Sequence, residues 1–195
     1  VVSQPIKGTA KRKKEYAADQ HERNYLQNNP KERAENTMIV DLVRNDLSRI
    51  CQKGSVCVEE LCSVYPFPTV HQMISTITGM VQKQTPVIEI IRNTFPMGSM
   101  TGAPKIRAMK LIERIETSKR GVYSGALGYF KPNIDFDFSV VIRTLLYNAG
   151  KKYLSCSVGS AITALCDAAK EYDECLLKLK GLVTFHDEFK GNFFE

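Results

Sequence analysis

The sequence predicts an α+β protein built on antiparallel sheet, and three observations lead there. Consecutive β-patterned runs are joined by short turns. The helical patterns stand in blocks between those runs instead of alternating with them one for one, as a parallel doubly wound sheet requires. The central glycine-rich stretch follows no strand and lacks the Gly-Lys-Ser/Thr ending of a P-loop. A chain of 195 residues supports one substantial core, roughly one to one and a half typical domains.

Residues 1–9 read as a short extended segment ending in Pro5-Ile6-Lys7-Gly8-Thr9. The chain starts inside patterned sequence without a methionine, which suggests a fragment. Residues 11–28 are polar and helical up to Asn29-Pro30. Pro30 then opens a better helix over 31–50, with Ala34, Met38, Leu42 and Val43 on one face. After Lys53-Gly54 the period changes. Residues 55–65 and 69–81 are rich in Val, Ile, Thr and Tyr and read as two strands around a Pro66-Phe67-Pro68 corner. A short apolar helix covers 85–95.

Gly98-Ser99-Met100-Thr101-Gly102-Ala103-Pro104-Lys105 follows, a loop whose glycines let the backbone approach a ligand. It empties into an amphipathic helix over 106–116 carrying Ile106, Met109, Leu111, Ile112 and Ile115. Free N–H groups at such a helix start favour a phosphate or carboxylate; the alternative is an ordinary tight turn with a proline start. Three further strands are predicted over 122–130, 136–148 and 152–158, with turns at Lys131-Pro132-Asn133 and Asn148-Ala149-Gly150-Lys151. A last helix spans 168–180, ended by Gly181.

The net charge of +6 favours anionic partners, either nucleic acid or a small polycarboxylate. No aromatic interleaves the run Lys11-Arg12-Lys13-Lys14, which disfavours a nucleic-acid platform. Six cysteines with no C-x-x-C pair indicate neither zinc nor a redox motif, and read as reduced thiols of a cytoplasmic protein. No apolar run is long enough to cross a bilayer, so no membrane partner is expected.

Glu32 and Glu35 are three apart on a predicted helix and project from one face; Glu171 and Glu174 repeat the arrangement on the last helix. Carboxylates gathered this way suit a hard cation such as Mg²⁺, although E-x-x-E pairs also decorate many solvated helices. Lys7, in a tight Pro-x-x-Gly setting, is either an exposed turn lysine or a nucleophile. His71, among Val70, Met73 and Ile74, is either a core histidine or a catalytic one. Arg143 interrupts an apolar run and needs an anion, from the protein or from a ligand. Tyr123 and the 157–159 corner read as pocket lining.

Seven blocks stand in one order: PIKGT at 5–9, ERAENTMIVDLVRNDL at 32–47, VHQMIS at 70–75, GSMTGAPKIRAM at 98–109, YSGALGY at 123–129, VVIRT at 140–144 and EYDECLLK at 171–178. Together they resemble the chorismate-utilising enzymes, the family of anthranilate synthase component I, aminodeoxychorismate synthase component I and the isochorismate and salicylate synthases. The resemblance implies the C-terminal part of a two-sheet antiparallel sandwich with flanking helices. Residues 1–182 would be the portion of the chorismate-binding catalytic domain present and 183–195 a tail.

It further implies that Glu35 and Glu174 ligate Mg²⁺ directly, with Glu32 and Glu171 acting through waters. Arg143 and Tyr123 would grip the enolpyruvyl carboxylate of chorismate, helped by backbone around Gly159. Gly8, Thr9 and Ser99, the last where the family usually has threonine, would line the substrate site. His71 would sit near the leaving hydroxyl, and Lys178 would neutralise a carboxylate near the metal. The lysine of PIKGT resembles the aminodeoxychorismate branch, whereas PIAGT marks anthranilate synthases, which remain the alternative. On the first reading Lys7 is the nucleophile, and a glutamine amidotransferase partner supplies ammonia.

Two departures are visible. The family's region upstream of PIKGT, with an SPE segment that carries the general acid, is not in this chain, so the 195 residues alone are expected to be inactive. Residues 160–169 also differ from the family's GAGIVADSDP-like run. A binding fragment without catalysis, or a basic interaction module, is the reading from another class.

Overall fold

The structure is a computed structural model that describes residues 1–164 and 166–189. It divides into two compact units, Val1–Thr117 and Ser118–Glu195.

The first unit is organised on strand β4 (Val70–Thr78), which pairs antiparallel with β1 (Val2–Ser3), β2 (Ile6–Lys11) and β3 (Cys57–Pro66). Its residues alternate in burial: His71, Met73, Ser75 and Ile77 are inside. Helices α1 (Tyr16–Asn28) and α2 (Pro30–Ser48) cover that face. Leu26 of α1 packs with Cys62, Val64 and Met73 of the sheet. The break between the helices follows from Asn29-Pro30. Proline suits the first helical position, and the Asn29 carboxamide accepts from the N–H groups of Lys31 and Glu32 at 3.0 and 3.2 Å, capping α2. The unit continues through α3 (Val87–Thr94), a 3₁₀ turn (Gly98–Met100) and α4 (Lys105–Ile115).

The first helix starts later than residue 11, because Lys11 still pairs with Val70 and the Arg12 N–H donates to the Thr69 carbonyl at 3.2 Å. The buried stripe of α2 is Asn36, Ile39, Val40, Asp46 and Leu47. Ala34, expected on the inner face, is exposed, and Met38, Leu42 and Val43 are half-buried. Apolar spacing misplaced the face because Asn36, a polar residue, lies at its centre. On α4, Ile106, Met109, Leu111 and Ile115 are exposed.

The second unit holds two hairpins, β5 (Ala126–Phe130) with β6 (Phe136–Val140) and β7 (Leu145–Asn148) with β8 (Tyr153–Cys156), followed by α5 (Ala168–Phe189). The single strand expected over 136–148 is two strands. At the break, Val141 donates to the Gly125 carbonyl and accepts from the Ser124 N–H, both at 2.9 Å, and Arg143 turns the chain at φ 51°. Gly181 does not end the last helix, which runs on to Phe189. One glycine inside a helix costs only about 1 kcal/mol against alanine. All six cysteines are free. Among the described residues no helix is long and apolar enough to cross a membrane.

Candidate active site

Lys7 lies where β2 slips register against β4: Ile6 pairs with Ile74, but Thr9 pairs with Gln72. A β-bulge of this kind re-aims the residue it contains. Gly8 makes the bulge possible. It takes φ 97°, and a β-carbon there would sit 3.1 Å from Glu32 Oε2, 3.2 Å from Leu26 Cδ1 and 3.3 Å from Met73 Cβ. The carboxylate of Glu32 is thereby placed beside the backbone next to Lys7. Lys7, Glu32 and Glu35 are half-buried and Thr9 is exposed. Glu35 has Lys31 Nζ 4.0 Å away, one turn back on α2.

A buried polar network lies next to this bulge. Asn36 Nδ2 donates to the carbonyls of Lys7 and Met73, each at 3.4 Å. Its Oδ1 accepts from the Ser75 hydroxyl, and Ser75 Oγ accepts from the Cys62 N–H at 2.8 Å. Cys62 sits at φ 56° in a second register shift, between Glu60 and Ser63 of β3. Asn36, Ser75 and Cys62 are each 0% exposed. One carboxamide thus joins α2 to β2 and β4 and, through Ser75, to the bulge of β3.

His71 is 1% exposed, with Nε2 3.0 Å from Asp19 Oδ1 and Nδ1 buried without a hydrogen-bond partner. Asp19 also accepts from Arg12 Nε at 2.9 Å and from the Lys13 N–H at 2.9 Å. The Arg12 guanidinium, then the Lys13 N–H, hold its carboxyl well below the usual carboxylate range against its own burial. This position suits a core histidine tying β4 to the start of α1.

The glycine loop rests on α2 as well. A β-carbon at Gly98 would sit 3.0 Å from Leu42 Cβ, and the half-buried Ser99 follows it in the 3₁₀ turn. Lys105 Nζ closes the loop by an ion pair to Asp46 at 2.5 Å, with the two side chains 16% and 8% exposed. Burial pushes the Asp46 carboxyl up, and Lys105 pulls it back.

In the second unit Tyr123, Gly159, Glu171, Glu174 and Lys178 gather at the 157–160 corner. A β-carbon at Gly159 would sit 2.7 Å from the Tyr123 hydroxyl. Lys178 Nζ donates to the Gly159 carbonyl at 3.0 Å and pairs with Glu174 at 2.6 Å. The buried Glu171 accepts from the Ser160 hydroxyl. Arg143 is exposed. Glu32 and Glu35 therefore belong to the first unit, and Glu171 and Glu174 to the second. Within each unit, among the described residues, no three His, Cys, Asp or Glu side chains form a group able to hold a metal.

Sequence reasoning missed Asn36, Ser75, Asp19 and the Asp46–Lys105 pair. The available signal was a polar residue at an apolar-stripe position: Asn36 within AENTMIV and Ser75 within MISTI.

The sequence profile of the family described as chorismate binding enzyme matches residues 1–184. An aminodeoxychorismate synthase of Streptomyces griseus is 44% identical over 95% of this chain and 25% of its own length. Aminodeoxychorismate synthase component 1 of Klebsiella aerogenes is 42% identical over 94% of this chain and 40% of its own. The solved structure of anthranilate synthase component I from Streptococcus pneumoniae superposes with a TM-score of 0.77 at 33% identity, over 93% of this chain and 39% of that one. The chain spans less than half the length of each.

Proposed function

Because the chain belongs to the family of chorismate binding enzymes, we propose that it is part of an aminodeoxychorismate synthase, which converts chorismate and ammonia to 4-amino-4-deoxychorismate. The observation that carries the reading is Lys7 at a bulge, with Gly8 and the Glu32 carboxylate beside it. The synthase names of the relatives support it.

On this reading the neutral amine of Lys7 adds at C2 of the chorismate ring. Both conjugated ring double bonds shift, C1=C2 to C1=C6 and C5=C6 to C4=C5, and the C4 hydroxyl leaves with its bonding pair, taking a proton to depart as water. Ammonia then attacks C4, the electrons move back, and the C2–N bond to Lys7 breaks. One proton is lost from the new amine, and Lys7 is regenerated. Covalent catalysis of this kind replaces one difficult displacement by two easier ones.

Chorismate is a dianion and needs cations, which Lys7, Arg143 and Lys178 would supply. Arg143 and the Tyr123 hydroxyl are assigned to the enolpyruvyl carboxylate, with the backbone at Gly159. Gly8, Thr9 and Ser99 are assigned to the substrate, and Lys178 to balancing charge beside Glu174. The donor sets suit Mg²⁺, being all-oxygen carboxylate pairs spaced along one helix face. Glu35 and Glu174, with Glu32 and Glu171 through waters, are the ligands assigned to it. When bound it supplies positive charge for a chorismate carboxylate. Ammonia would come from a glutamine amidotransferase partner.

Product analysis tests the reading. The full-length enzyme with chorismate, Mg²⁺ and ammonia should yield 4-amino-4-deoxychorismate and no pyruvate. Anthranilate with equimolar pyruvate would replace this reading by the anthranilate synthase one.

A further inference from the structure

Resting on the reading of Lys7 as nucleophile, we propose that Asn36 and Ser75 are positioning residues for that lysine, fixing the bulge that carries it against the helix that carries Glu32 and Glu35. Three observations lead to this.

The first is that the network is complete. Both N–H groups of the Asn36 carboxamide are used, on the carbonyls of Lys7 and Met73, and its oxygen accepts from Ser75. Ser75 in turn accepts from the Cys62 N–H. The donors run in one direction, from β3 through β4 to α2 and on to β2, so one geometry satisfies every member.

The second is where the network ends. It meets β2 at Lys7, within the register slip between Ile6 and Thr9, and it meets β3 at Cys62, within another. Bulges leave backbone groups outside the regular ladder. The carboxamide of Asn36 and the hydroxyl of Ser75 serve two such places. Asn36 also follows Glu35 directly and lies one helical turn after Glu32, so one side chain relates the nucleophile's backbone to both carboxylates.

The third is that packing alone does not call for these residues. An apolar pair of matching shape in place of two buried hydrogen-bonding partners is often neutral or stabilising. Such a pair would fill the space beside Cys62 and Met73, but it would leave the Lys7 carbonyl unheld. Because Asn36 and Ser75 are both 0% exposed, neither touches substrate, and their effect passes through Lys7.

The test withholds ammonia from the full-length enzyme and follows formation of the covalent adduct by intact mass, one dehydrated chorismate on the Lys7 peptide. Chorismate affinity is measured separately by calorimetry. Ser75→Ala should slow adduct formation by about a hundredfold, the scale of a misplaced reacting group, while chorismate affinity stays within about twofold. Asn36→Leu should do the same; if it does not fold, Ser75→Ala carries the test. Adduct formed equally fast by native enzyme and Ser75→Ala overturns the positioning role and leaves the nucleophile reading intact. A slower rate that only tracks a smaller folded fraction overturns it too. Native enzyme that forms no adduct while ammonia is withheld, yet turns over fully once ammonia is added, overturns the nucleophile reading, and the positioning role with it.

Discussion

The carboxylate of Glu32 closes over Gly8 so nearly that a β-carbon on that glycine would lie 3.1 Å from Oε2. Leu26 and Met73 crowd the same point, at 3.2 and 3.3 Å, and the backbone there is at φ 97°. The glycine of PIKGT is thus set by the helix above it as much as by its own turn, and it brings an acidic group to the backbone beside Lys7.

Gly8→Ala should therefore destabilise the protein by about 1–3 kcal/mol, combining a strained φ with three close contacts. Urea unfolding measures this. A loss below a few tenths of a kcal/mol would mean that Glu32 and Leu26 move aside freely.

Lys105→Met should cost about 3 kcal/mol, because it leaves the Asp46 carboxylate, 8% exposed, without its cation. Adding Asp46→Leu should recover most of that loss, since the desolvation of both charges is then avoided. A pair worth nothing would show no change in either variant.

Asp19 makes stability depend on acid. Its carboxyl is depressed in the folded protein, first by Arg12, so it contributes stability that is fully present above the unfolded value of about 3.9. That contribution disappears as the pH falls below this value toward the depressed folded one. Thermal melts between pH 7 and pH 2 should show the decline, and Asp19→Asn should flatten it.

Gly159→Ala forces the Tyr123 hydroxyl to move, because the new carbon would sit 2.7 Å from it. If Tyr123 holds a chorismate carboxylate, KM should rise about tenfold, as for loss of one hydrogen bond to a charged group. In a Tyr123→Phe background the same substitution should add little.

What could be read in the sequence was mostly what periodicity and turn residues encode. The Asn29-Pro30 break, the Pro66-Phe67-Pro68 hairpin and the turns at 131–133 and 148–151 all stand where local chemistry places them. The inner face of α2 was not legible, because its centre is Asn36, a residue buried for the hydrogen bonds it makes to distant strands. The split of 136–148 was hidden for a related reason: the apolar run through Arg143 is uniform, and long-range bonds from Val141 to Ser124 and Gly125 end the strand. Lys7, Gly8 and the Gly159 corner were legible as motif residues. Their physical basis, the bulge under Glu32 and the contact with Tyr123, exists only after folding.

The most direct test is Lys7→Ala in the full-length enzyme, assayed with chorismate, Mg²⁺ and ammonia alongside a chorismate titration. A nucleophilic Lys7 predicts chorismate affinity within about twofold of native, with formation of 4-amino-4-deoxychorismate reduced about a thousandfold or more. Native turnover to the same product by Lys7→Ala would contradict it.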